Sequence, residues 1–83
     1  MMYSIFFSNV ALRQFNKLPN DIQDRIIGSL ERMKIRPHAY VKKLVGNPYF
    51  RLRVGDYRII VNIQGNDLRI LVVEVGHRRN VYK

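Results

Sequence analysis

The stretch YFRLRVGDYR, residues 49–58, decides how the chain is read. Gly55-Asp56 suits a two-residue hairpin turn, and the residues on either side predict two short antiparallel strands. Side chains alternate across a strand, so Arg51 and Arg53 share one face while Phe50, Leu52 and Val54 take the other. With a two-residue turn, Val54 faces Tyr57 and Arg53 sits opposite Arg58, which brings three guanidiniums together on one face. Like charges directly opposite are unfavourable, though a pair ~6 Å apart in water repels by less than ~1 kcal/mol. Cations also protect sheet edges, so arginines splayed into solvent are the plainer alternative. Mixed charge would serve that purpose better than a cross-strand arginine pair. The cluster therefore reads as an anion site suited to phosphate.

Outward from this hairpin, the strand candidates are residues 49–54, 57–63 and 68–76, the last two joined by a four-residue turn over 64–67. Upstream, YSIFF (residues 3–7) predicts a first strand. Ser8 and Asn9 offer a helix N-cap. Leu12, Phe15 and Leu18 follow at helical spacing until Pro19 stops the helix. Asn20-Asp21 is the expected cap of a second helix, whose apolar face is Ile22, Ile26, Leu30 and Met33. Gly28 inside it costs about 1 kcal/mol relative to alanine. The short link through Pro19 predicts an antiparallel helix hairpin. HAYVKKLVGNP, residues 38–48, is rich in turn formers and is left without an element. The expectation is an α+β fold: N-terminal strand, antiparallel helix hairpin, then a three-stranded antiparallel meander, with the helices packed on one sheet face.

The chain has 83 residues and 47% hydrophobic content, which predicts one domain spanning 1–83 with one compact core. It has no cysteine, which excludes disulfides and thiolate metal sites and fits a reducing cytoplasm. No apolar run approaches the ~20 residues of a spanning helix, and the first ten residues lack the pattern of a signal peptide. A cytoplasmic protein without membrane contact is expected. Fifteen lysines and arginines against six acids give a formal charge of +9, and ten of the fifteen cations are arginine. Such a domain calls for a polyanion or an acidic protein partner, and arginine is the better residue for forked phosphate contacts.

Other chemistry is sparse. The acids are scattered, so a two-metal phosphoryl-transfer site has no carboxylate cluster to hold it, and no metal site or cofactor is expected. The glycines follow no nucleotide-binding pattern. His38 reads as a solvated loop residue. His77 differs, because it precedes Arg78 and Arg79 and lies near Tyr82, an acid–base set beside a phosphate site.

Two stretches, KKLVGNPYFRLRVGDYRIIV (residues 42–61) and VVEVGHRRNVY (residues 72–82), resemble the RelE family of the RelE/ParE toxin superfamily. LRQFNKLP (residues 12–19) is similar to the end of that family's first helix, and the resemblance covers essentially the whole chain. It implies the toxin of a toxin–antitoxin pair that cuts mRNA in the ribosomal A site. The RNA's own 2′-hydroxyl would attack the adjacent phosphate, leaving a 2′,3′-cyclic phosphate without a metal. Residue by residue, the resemblance assigns Arg58 and Arg78 to the scissile phosphate, with Arg78 also assisting the leaving 5′-oxygen. Tyr82 would stack on a base or take part in proton transfer, and Arg51 and Arg53 would stabilise charge. Lys42, Lys43 and Arg79 would hold RNA around the site. The family's best-known pattern has lysines at the positions of Arg51 and Arg53. Because an arginine does not give up its proton, His77 becomes the candidate for proton transfer. Longer relatives continue into a further helix. The implied partners are an acidic RelB-like antitoxin, forming a hetero-oligomer, together with the ribosome and mRNA. ParE-type inhibition of DNA gyrase and a non-catalytic RNA- or ribosome-binding module are the alternatives on the same fold.

Overall fold

The computed structural model describes residues 2–77. Five strands form one sheet in the order β1-β5-β4-β3-β2, with β1 Ser4–Phe7, β2 Val41–Lys43, β3 Phe50–Val54, β4 Tyr57–Gln64 and β5 Arg69–His77. Two helices, α1 Asn9–Asn16 and α2 Asn20–Met33, follow β1. They cover one face of the sheet, α1 over β5 and β1, α2 over β3. The expected α+β arrangement is present, with two additions. β1 runs parallel to β5, and residues 41–43 form a short edge strand paired with β3 where the sequence offered only turn residues.

The helix-facing side of the sheet contributes Leu52, Val54, Ile59, Val61, Ile70, Val72 and Val75 to the core. Ala11, Ile26, Leu30 and Met33 come from the helices. The α2 stripe is the one its spacing predicts. On α1 the expectation for Leu12 is corrected: it is exposed, and the small Ala11 is buried instead. The close fit of α1 to β5 favours the smaller side chain there, while Phe15 still reaches the core and meets the Phe7 ring at 5.3 Å.

The helix ends also sort themselves physically. Ser8 caps α1 by accepting from the Ala11 N–H at 3.0 Å, as expected. Asn20 and Asp21 do not cap α2, because Pro19 occupies the N-cap and Asn20 begins the helix. Gln23 instead reaches back, donating to the carbonyls of Phe15 and Leu18 at 3.1 and 3.0 Å. That ties the start of α2 to the end of α1 and locks the hairpin.

The pairing of β4 with β5 changes register between Ile60 and Val61. Val61 pairs with Val72, whereas Ile60 pairs with Glu74, so Val73 is an extra residue on β5, a β-bulge. One residue exchanges the two faces of a strand. Before the bulge Ile70 and Val72 face the helices; after it Val75 does. Glu74 and Gly76 are thereby moved to the open face, and His77 to the helix side.

α1 supports this bulge. The pairing with β1 ends at Phe7–Val72, and two side chains then take over its role. Ser8 Oγ donates to the Val73 carbonyl at 3.0 Å, and the Val75 N–H donates to Gln14 Oε1 at 2.7 Å. Both backbone groups would otherwise lie along an uncovered strand edge.

A basic groove on the open face of the sheet

The β3–β4 hairpin turns as its sequence predicts. Gly55 has φ +58°, and no other residue of the turn has positive φ, the sign pattern of a type II′ turn. Arg53 pairs with Arg58 and Arg51 with Ile60, so by register all three arginines belong to the face away from the helices. Across the sheet, Lys42, Arg51, Ile60 and Glu74 form one row, and Arg53, Arg58 and Gly76 the next. Gly76, the β5 partner of Arg58, adds no side chain of its own to that row.

A groove of about 420 Å³ on this face is lined by Lys42, Arg51 and Arg58, together with Lys43 at the end of β2 and Leu44, Val45 and Asn47 of the β2–β3 loop. Arg51 lies diagonally across the β3–β4 pair from Arg58, about 7 Å in Cα separation. Both are half-buried, and the Arg58 Nε is shielded from solvent. A guanidinium rooted in this way keeps its forked N–H edge in a fixed direction, which suits a tetrahedral oxyanion. Lys42 is exposed at the rim. Lys43 lines the groove, but its ammonium donates to the Asn47 carbonyl and stands 5.7 Å over the Phe50 ring. Val45, at the tip of the loop, is 99% exposed, an apolar surface beside a cationic floor.

The structure therefore brings together Arg51, Arg58, Lys42 and Lys43. It does not bring in Arg53 or His77. Arg53 is in register with Arg58, yet it lines hollows on the opposite side of the hairpin, next to α2. The reason is local: β2 ends its pairing at Leu52, so Arg53 lies beyond the protecting edge strand. His77 pairs with Tyr57 on the helix side, ring to ring at 5.5 Å, across the sheet from Arg58. The extra residue at Val73 is what sets His77 on that side. His38, expected to be a solvated bystander, is exposed but stands edge-on to Phe50 at 5.2 Å. Arg78, Arg79 and Tyr82 lie outside the described residues.

Sequence reasoning missed Glu74. Strict alternation from Ile70 and Val72 puts it on the core face; only the extra residue at Val73 turns it outward. It is half-buried on the arginine face and, among the described residues, is the one acid on a strand. No cluster of potential metal ligands exists among the described residues. No described helix is long and apolar enough to cross a membrane.

Comparison with known proteins follows the same lines. Residues 5–82 match the family of ParE toxins of type II toxin–antitoxin systems (parDE). A RelE-like toxin protein of Escherichia coli is 32% identical over 81 residues, covering 94% of this chain and 85% of its relative. The toxin–antitoxin complex RelBE2 of Mycobacterium tuberculosis contains a chain that superposes with a TM-score of 0.86 at 24% identity, over 96% of this chain and 95% of that one. A chain of the intact Escherichia coli RelBE complex gives 0.78 at 25% identity, over 90% and 95%. With the fold, the strand arginines and the matched length in agreement, the chain belongs to the RelE family of the RelE/ParE superfamily and is a toxin of a type II toxin–antitoxin system.

Proposed function

We propose that the protein is a ribosome-dependent mRNA endoribonuclease acting in the cytoplasm. The observation that carries this reading is the shared groove of Arg51 and Arg58, a fixed pair of forked donors on an open sheet face with cationic Lys42 at its rim. In the reaction, the 2′-oxygen of a ribose forms a bond to the adjacent phosphorus as its proton departs. The bond from phosphorus to the 5′-oxygen breaks, and that oxygen takes up a proton. The phosphorane-like transition state carries more negative charge than the diester, so donors already aimed at it lower the barrier. Arg58 and Arg51 supply that stabilisation, and Glu74, an acid on the same face, accepts the 2′-hydroxyl proton. The Val45 tip offers a surface against which a base can pack. None of these steps calls on a metal.

The cationic face also needs a partner that silences it. Solved relatives are toxin–antitoxin complexes, which supports an acidic antitoxin laid over this groove in a hetero-oligomer.

The test is incubation of the purified toxin with programmed ribosomes, followed by end-group analysis. A 2′,3′-cyclic phosphate and a 5′-hydroxyl are expected. Arg51→Ala with Arg58→Ala should lower cleavage by at least about 10²–10³-fold, the range for loss of one preorganised donor. Products ending in a 3′-hydroxyl and 5′-phosphate would overturn the mechanism. Inhibition of DNA gyrase is the second reading, favoured by the match to the ParE toxin family. Intact mRNA alongside stalled gyrase would establish it instead.

A further inference from the structure

The molecule carries a second basic hollow that the open-face groove does not use. It lies on the other side of the β3–β4 hairpin, against α2, with a volume of about 350 Å³. Arg25, Gly28, Ser29 and Arg32 line it from the helix; Arg53, Val54 and Gly55 line it from the strand and turn. The helix residues fall at i, i+3, i+4 and i+7, one continuous stripe. A smaller hollow next to it shares Ser29, Arg32 and Arg53 and adds Tyr40 and Leu52.

Two of the three arginines are held in place. Arg32 Nη2 donates to Ser29 Oγ at 3.2 Å. The Arg25 guanidinium lies against the turn, its Nη2 only 3.1 Å from where a Cβ on Gly55 would stand. No acid neutralises them: among the described residues the ion pair is Lys34 with Glu31, and Asp56 in the turn makes none. Gly28 is the second observation. A glycine inside a helix costs about 1 kcal/mol relative to alanine, and packing does not require this one, since a Cβ there would meet nothing within 4 Å. Its effect is to leave the floor between Arg25 and Arg32 bare.

We infer that the Arg25–Arg32–Arg53 groove is a second phosphate-binding site, one that takes a polynucleotide backbone independently of the open-face groove. Arg25 and Arg32 are two helical turns apart, about 10 Å along the axis. That offset, with Arg53 across the groove, spreads the positive charge along its length and suits a ligand that repeats its negative charge. An acidic peptide does so too. The exposed Tyr40 ring beside the arginines favours a nucleic acid, because bases stack on such a ring while phosphates take the guanidinium forks. The inference rests on charge and geometry and holds whether or not the first groove cleaves RNA.

The experiment uses a fluorescent 2′-O-methyl oligonucleotide of about 12 nucleotides, within the span of single-strand binders. It has no attacking hydroxyl, so binding is read without cleavage. Anisotropy is followed against salt for the wild type, for Arg25→Gln with Arg32→Gln, and for the same pair in an Arg51→Gln, Arg58→Gln background. Each single-strand phosphate contact contributes about 0.7 to the salt slope. Losing two should flatten it by about 1.4 and weaken binding about 25-fold at 0.1 M salt in both backgrounds. Gly28→Glu, which keeps both arginines, should weaken binding in the same direction, as should Arg53→Gln at an exposed strand position. Circular dichroism confirms that each variant is folded. Wild-type affinity and slope in the Arg25, Arg32 variant would overturn the inference. So would unchanged oligonucleotide binding alongside lost binding of a poly-glutamate peptide, which would make the groove a protein site.

Discussion

Replacing Gln14 with methionine tests whether α1 holds the β5 bulge. The change keeps the length and most of the volume of the side chain but removes the oxygen that accepts the Val75 N–H at 2.7 Å. Val75 itself is 2% exposed, so water replaces that acceptor poorly. An unsatisfied buried donor costs about 1–3 kcal/mol, and a flexible methionine of similar size adds little strain. We expect a loss of about 2 kcal/mol. In a domain of this size each kcal/mol moves the melting temperature by about 4–8 °C, so Tm should fall by about 8–16 °C. Gln14→Glu retains an accepting oxygen and should melt close to the wild type. Amide exchange locates the effect: after correction for global stability, the Val75 amide should lose protection further, by about 10-fold for each 1.4 kcal/mol of local opening. Function should follow, because the bulge decides which β5 side chains face the groove, and RNA cleavage should drop with the methionine variant. A Gln14→Met protein that melts with the wild type, or whose Val75 amide exchanges no faster than its global stability dictates, would refute this account of the bulge.

Other substitutions separate chemistry from scaffold. Glu74→Gln should lower the cleavage rate by about 10²–10⁴-fold, the usual contribution of a positioned base, with oligonucleotide affinity retained or improved; an unchanged single-turnover rate would remove Glu74 from the reaction. Gly55→Ala must place a Cβ at φ +58° and 3.1 Å from the Arg25 guanidinium, and should cost about 1–2 kcal/mol in urea unfolding. Gly28→Ala, by contrast, meets nothing within 4 Å and should raise stability by about 1 kcal/mol. Ile59→Ala empties a fully buried position between the helices and the sheet and should cost about 2–5 kcal/mol, read from the urea midpoint at constant m-value.

What the sequence made legible was local. The α2 stripe from Ile22 to Met33, the Gly55-Asp56 turn and the opposition of Arg53 to Arg58 all follow from periods of 3.6 and 2 and from one turn. What it hid depends on contacts distant in the chain. The strand at Val41–Lys43 has three residues and forms because β3 offers an edge, so no periodicity announces it. The parallel seating of β1 on β5 joins residues more than sixty positions apart. The site suffered most from the extra residue at Val73. A single unpaired position reverses the alternation downstream, so His77 reads as a neighbour of Arg58 and Glu74 as a core-facing residue, each the reverse of its place in the sheet. For Arg53 the register was legible, but the early end of β2, beyond which Arg53 lines hollows next to α2, was not.

The place of β5 in the sheet has a consequence for synthesis. Among the described residues β5 is the last strand, yet it lies between β1 and β4, so a nascent polypeptide has no partner for β1 until residue 69 and beyond have left the exit tunnel. At about 5–20 residues per second, β1 and the helix hairpin wait seconds with their apolar sides uncovered. Through that interval the hairpin that carries the arginines cannot dock into a finished sheet. The cationic face of this toxin is thereby assembled only after β5 has been translated.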